Sequence, residues 1–238
     1  MTEVGEAVLV ALLKNQDKEK CDFKPDKESW TANLEGSSRA LEGNLGDKPT
    51  ASEESELSSD KWPSQAHHLI PHLTLKDHAV AAWLKQTDGS IMWGDTFYNV
   101  DHEHNGKWLP YASSLKEWQQ YGVKDRRQLM FKVMRLSGLQ LHQGRHSGSN
   151  RYEIGEQPYK ACVIKYLDKI EDNAISHYTK QPPCADCAGK SEANKVPPRA
   201  NTVRFVDQVS QLVWGDILEE RIFVSRIAAE FVQCEGFD

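Results

Sequence analysis

Three short segments concentrate the side chains that can do chemistry: Gln65–Pro71 (QAHHLIP), Asn99–Pro110 (NVDHEHNGKWLP) and Leu141–Glu153 (LHQGRHSGSNRYE). Each is rich in His or Asn, each is broken by Gly or Pro, and none has helical periodicity. Such segments build a core poorly and present side chains from loops well. An imidazole near its natural pKa serves as a base at neutral pH and, when neutral, as a metal ligand. Neighbouring residues at a strand end point to opposite faces. One histidine of His67-His68 can therefore face a metal while the other faces a reacting group; His67 is assigned to the metal and His68 to the general base. His146 and Asn150 stand four apart, as do His142 and His146, so one helical turn would put either pair on one side and close a metal site. A His-His pair alone reads as two ordinary core-edge residues. The three segments together read as a site.

Their order resembles the AHH family of nucleases, a branch of the HNH/endonuclease VII superfamily found as toxin domains in bacterial polymorphic toxin systems. The matching residues are Ala66-His67-His68, then Asn105-Gly106 with Leu109-Pro110, then His146-Ser147-Gly148-Ser149-Asn150 with Tyr152. The chain departs from the family pattern at Asn150, which stands where the pattern has His. The resemblance implies metal-assisted hydrolysis of nucleic-acid phosphodiesters, DNA rather than RNA. That reaction needs an activated water, a cation to neutralise charge on the phosphorane oxygens, and help for the leaving oxygen. Asn105 would hold His68 in one orientation by a side-chain or backbone hydrogen bond, the role of the middle Asn in HNH sites, and His67 and His146 would hold the ion with Asn150 or His142. An amide oxygen at Asn150 suits Mg2+, the expected ion; a His142–His146 pair would favour Zn2+ or Ni2+, with Mn2+ also open. The implied fold is α+β, a small ββα-metal finger of the HNH, treble-clef-like kind embedded in a mainly helical domain. The resemblance also implies an antibacterial toxin with a cognate immunity protein, exported by a specialised secretion apparatus and active in the target-cell cytoplasm. A housekeeping nuclease without an immunity partner and a non-catalytic zinc-binding module are the alternatives.

Charge is unevenly placed along the 238 residues. The whole chain carries a net −6 and residues 1–60 carry 7 basic against 14 acidic groups, whereas residues 107–160 carry 10 against 4. Phosphate contacts need local positive charge rather than a basic chain; Lys107, Arg145 and Arg151, beside the motifs, are the candidates for nucleic-acid binding. Trp108 is a candidate for stacking on bases. His72, His78, His102 and His104 have no partner motif and read as solvated or structural, with a lesser chance that the last two touch phosphate.

The elements that must position these groups lie after a polar beginning. Residues 1–62 read as an arm or linker, with a short docking helix at 1–14, because stretches such as Thr50–Asp60 carry too few apolar groups to offset their ordering entropy. Residues 63–238 read as the nuclease domain with a helical extension. Helices are expected at Asp77–Lys85, Lys124–Leu136 (ended by Gly138), Pro158–Tyr178 and Val203–Phe231, the last interrupted at Gly215, and short extended segments over residues 88–101. The apolar patch Ala7–Leu13 follows acids and precedes no small-residue cleavage site, so no signal peptide is expected; no apolar run approaches a membrane span. Five widely spaced cysteines form no disulfide framework and point to reduced thiols in the cytoplasm where the chain is made. Cys184 and Cys187 supply only half of a zinc site.

Overall fold

The structure, a computed structural model, describes residues 7, 9–10, 34–49, 57–84, 98–142, 158–180 and 200–234. These residues form helices and one small two-stranded sheet, so the fold is mixed and mainly helical. The chain divides into two compact units and passes repeatedly between them. A sheet unit gathers Ser37–Leu69, Gly106–Cys162 and Trp214–Asp238; a helical unit gathers Met1–Gly36, Ile70–Asn105 and Val163–Val213.

In the sheet unit, β1 (Ser64–His68) pairs antiparallel with β2 (Gly106–Pro110), His67 opposite Lys107 and His68 opposite Gly106. The two segments expected as loops thus place their ends in a sheet. Helix α1 (Ser38–Asn44) starts where the Ser37 hydroxyl accepts from the Ala40 amide, and it buries Leu41. A Cβ at Gly106 would overlap Leu41 and come within 2.9 Å of Leu45, so any side chain here would have to displace both leucines. The Ser64 hydroxyl donates to the Pro49 carbonyl at 2.6 Å, and the Lys48 ammonium lies over the Trp108 ring at 5.3 Å. Residues 37–49 are therefore held on the sheet, although their composition reads as linker. Trp62, also assigned to the arm, is 6% exposed and belongs to the core.

That core is centred on the helix Val123–Ser137, which presents Leu129, Met130, Phe131, Val133 and Met134 inward. The helix ends at Gly138 as expected: glycine takes φ 63°, which costs it nothing, and its amide bonds the Met134 carbonyl. Arg226–Cys234 supplies Ile227, Ala228 and Phe231, whose ring meets Phe131 edge-on at 5.1 Å. Each such buried side chain contributes about 1.5–3 kcal/mol.

The helical unit draws on His72–Asp77, the 3-10 turn Ala79–Trp83, and most of Pro158–Lys180 and Ala200–Leu218. The helix expected at Asp77–Lys85 is divided: His78 takes extended backbone, ends the first helix and caps the 3-10 turn. Ala7, Leu9 and Val10 are helical, with Leu9 buried. Of residues 88–101, those before Tyr98 lie outside the described residues.

The stretch Val203–Phe231 departs from expectation more sharply. Gly215 sits inside the helix Ala200–Leu218, and the break falls at residues 219–225. There Glu220 takes φ 57°, and the Arg221 and Ile222 amides both return to the Asp216 carbonyl. The buried Gln140 amide clasps this turn, donating to the Ile217 and Ile222 carbonyls and accepting from the Val224 amide.

Candidate functional site

Strand alternation sorts the motif Gln65-Ala66-His67-His68. Gln65 and His67 lie two apart on β1 and share a face; His68 belongs to the other. The observed neighbours agree. The His142 ring lies 4.7 Å from the His67 ring, centroid to centroid, and its Nδ1 is 3.3 Å from the Gln65 Oε1. His142 is held there because its amide donates to the Pro110 carbonyl at 2.8 Å, tying the chain after the helix Val123–Ser137 to the end of β2. His67 is 3% exposed and His142 9%. His67 Nε2 lies 3.0 Å from the Tyr159 hydroxyl, which itself donates to the Leu69 carbonyl at 2.7 Å. Burial, helped by the nearby Cys162, pushes the Tyr159 phenol well above its ordinary range, so it stays protonated.

Asn105 is fully buried in the helical unit. Its Oδ1 accepts from the Ile70 amide at 2.8 Å and the Ser210 hydroxyl at 2.9 Å; its Nδ2 donates to the Ile70 carbonyl at 3.1 Å and the Val100 carbonyl at 2.8 Å. Two donors and two lone pairs are all a side-chain amide has. The Asn105 side chain therefore has no bond left for the His68 ring; it fixes the backbone two residues after His68. His68 is half-buried.

Neither a family model nor a curated protein nor a solved structure matches this chain.

Of the other candidates, His146, Asn150, Arg145 and Arg151 lie outside the described residues, as do Tyr152, Cys184 and Cys187. The Lys107 ammonium lies over the Trp214 ring at 5.5 Å. Trp108, packed on the core and covered by Lys48, is not an open stacking platform. His102 and His104 are exposed, meet edge-on at 4.4 Å, and pull down the pKa of Asp207, whose carboxyl burial raises more strongly.

Among the described residues one group of three acid and imidazole side chains has metal-like spacing: His78, Asp168 and Glu171. The tautomer of His78 argues against an ion there. Its Nδ1 accepts from the Val80 amide at 3.1 Å, so a neutral ring carries its proton on Nε2, which lies 3.1 Å from Asp168 Oδ1. A metal at Nε2 would need the lone pair that this arrangement puts elsewhere. The group is a helix cap whose ring is also hydrogen-bonded to Asp168.

Sequence reasoning missed Gln65, Tyr159 and Ser210. Period-two alternation from His67 could have found Gln65. Tyr159 and Ser210 stand 92 and 105 residues from their partners, and no spacing signal links them.

Proposed function

We propose that this chain is a metal-dependent nuclease of the AHH type, cutting nucleic-acid phosphodiesters, DNA in preference to RNA, and acting as an antibacterial toxin. The observation that carries the reading is the buried pair His67 and His142, 4.7 Å apart, on the β1 face opposite to His68. Two imidazoles from separate segments make a fitting partial donor set for a divalent ion, with His146 or Asn150 to complete it. Held there, the ion would neutralise charge on the phosphodiester oxygens. Nitrogen donors favour Zn2+ or Ni2+, whereas Mg2+ and Mn2+ would lean on the Asn150 oxygen. His68 would take the proton from the attacking water. Asn105 would fix the chain that leads out of β1, and Lys107, Arg145 and Arg151 would meet phosphate. The β1–β2 pair with the start of Pro158–Lys180 behind His67 supports a ββα arrangement of the HNH kind.

The test is cleavage of plasmid DNA and total RNA by the purified full chain, with EDTA and with a panel of divalent ions. His68→Ala should abolish cleavage and keep metal binding; His67→Ala should lose both. Full activity in His68→Ala overturns the base assignment. Metal uptake without cleavage under any ion leaves the zinc-binding module. The toxin role predicts that expression in a bacterial cytoplasm arrests growth unless the neighbouring reading frame is expressed too, an acidic product being favoured by the basic stretch 107–160.

A further inference from the structure

The hydrogen bonds that link His67, Tyr159 and Leu69 run in one direction. The Leu69 carbonyl can accept and cannot donate. The single phenolic proton of Tyr159 is therefore spent on Leu69, at 2.7 Å. Toward His67, 3.0 Å away, the same oxygen can only accept, so the proton between them sits on His67 Nε2. In a neutral imidazole the lone pair then lies on Nδ1. Tyr159 stands in the first turn of Pro158–Lys180, is 2% exposed, and meets the His67 ring edge-on at 5.6 Å, so the ring is fixed in orientation as well as in tautomer.

We infer that Tyr159 is the positioning residue that locks His67 in its Nε2–H tautomer and so makes Nδ1 its metal-ligating atom. The metal half of this inference rests on the nuclease reading above; the tautomer half does not. Ligating histidines depend on such partners, which take the second ring proton and hold the plane of the ring. Here the partner is a phenol passing the bond on to a carbonyl two residues beyond the ligand, on the strand's own exit. The backbone that carries the ligand thereby also sets its tautomer.

The experiment is nitrogen-15 NMR of the metal-free full chain with labelled histidine, the His67 signals being assigned by their loss in His67→Gln. Zinc alone is then titrated into wild type and Tyr159→Phe by calorimetry. Wild type should show the proton on Nε2. Tyr159→Phe, which keeps the ring and its packing, should shift His67 to a mixture of tautomers and weaken zinc binding roughly 10- to 100-fold, with an unchanged circular dichroism spectrum. A wild-type proton on Nδ1, or a tautomer unmoved in Tyr159→Phe, overturns the inference, and the wild-type spectrum decides even where the variant fails to fold. The two readings fail separately. The stated tautomer with no zinc uptake overturns the metal half, and the nuclease reading is then decided by the cleavage assay with the other ions. Zinc bound with the other tautomer overturns the role of Tyr159 and leaves the nuclease reading standing.

Discussion

His67 in the sheet unit and His78 in the helical unit are both low in exposure and both carry the ring proton on Nε2, yet the partners that fix the two rings differ. His78 has two carboxylates within metal-like reach, but its Nδ1 serves a backbone donor, so its Nε2 keeps the proton. His67 has an acceptor at Nε2, the Tyr159 oxygen, and its lone pair is turned to Nδ1. At His78 the Nδ1 lone pair is spent on the Val80 amide, so nearness to acids alone does not make a ligand. Backbone clamps occur in both units, Asn105 in the helical one and Gln140 in the sheet one, whereas His67 and His142 are set side by side.

The sharpest test of the clamping half is Asn105→Ala. It strands the Ile70 amide, two carbonyls and the Ser210 hydroxyl in a buried place, and should cost about 3 kcal/mol or more. Urea unfolding of variant and wild type reads this directly; a loss near 0.5 kcal/mol would mean that the four bonds count for little. Next in size is the contrast of the two clusters. His142→Ala should lower zinc affinity by roughly tenfold or more. His78→Ala should leave it unchanged while losing about 1 kcal/mol of stability with its cap. The reverse pattern in the two titrations would move the metal site to His78, Asp168 and Glu171.

The smallest effect concerns Asp207. Burial raises its carboxyl, against the pull of His104 and His102. Its folded pKa thus exceeds its unfolded one, and in the interval between them the native state binds the extra proton. Stability from this group is full below the unfolded carboxylate value and falls as pH rises through the raised one. Asp207→Asn should flatten that part of the profile, from about pH 4 upward, when unfolding midpoints are compared with wild type. An unaltered slope would show that Asp207 does not contribute to it.

Local signals were readable wherever local physics decides. Val123–Ser137 has its inward stripe and its Gly138 cap in plain view, and Pro158–Lys180 shows its apolar spacing. The break after Leu218 was not readable, because no glycine marks it. Gln140, far off in sequence, holds the turn, and Glu220 takes the left-handed conformation there without glycine's freedom. The site divides in the same way. His67 and His68 could be sent to opposite faces from the pleat alone. The pairing of His142 with His67 depends on a bond from its amide to Pro110, and the hold of Tyr159 on 92 residues of intervening chain. The expected arm failed as a guide at Leu41 and Trp62, since composition averages over a window and a single buried side chain does not.

Gly106 has a bearing on how such a chain can be shuffled between contexts. With no side chain of its own, it leaves a recess that Leu41 and Leu45 fill. A recombination joint between Leu45 and Leu57 would pass on the two strands with that recess empty, whatever was fused in front. A joint upstream of Ser37 would keep the recess filled, so a polar stretch that looks like spacer carries two leucines that pack on the strands beside the histidines.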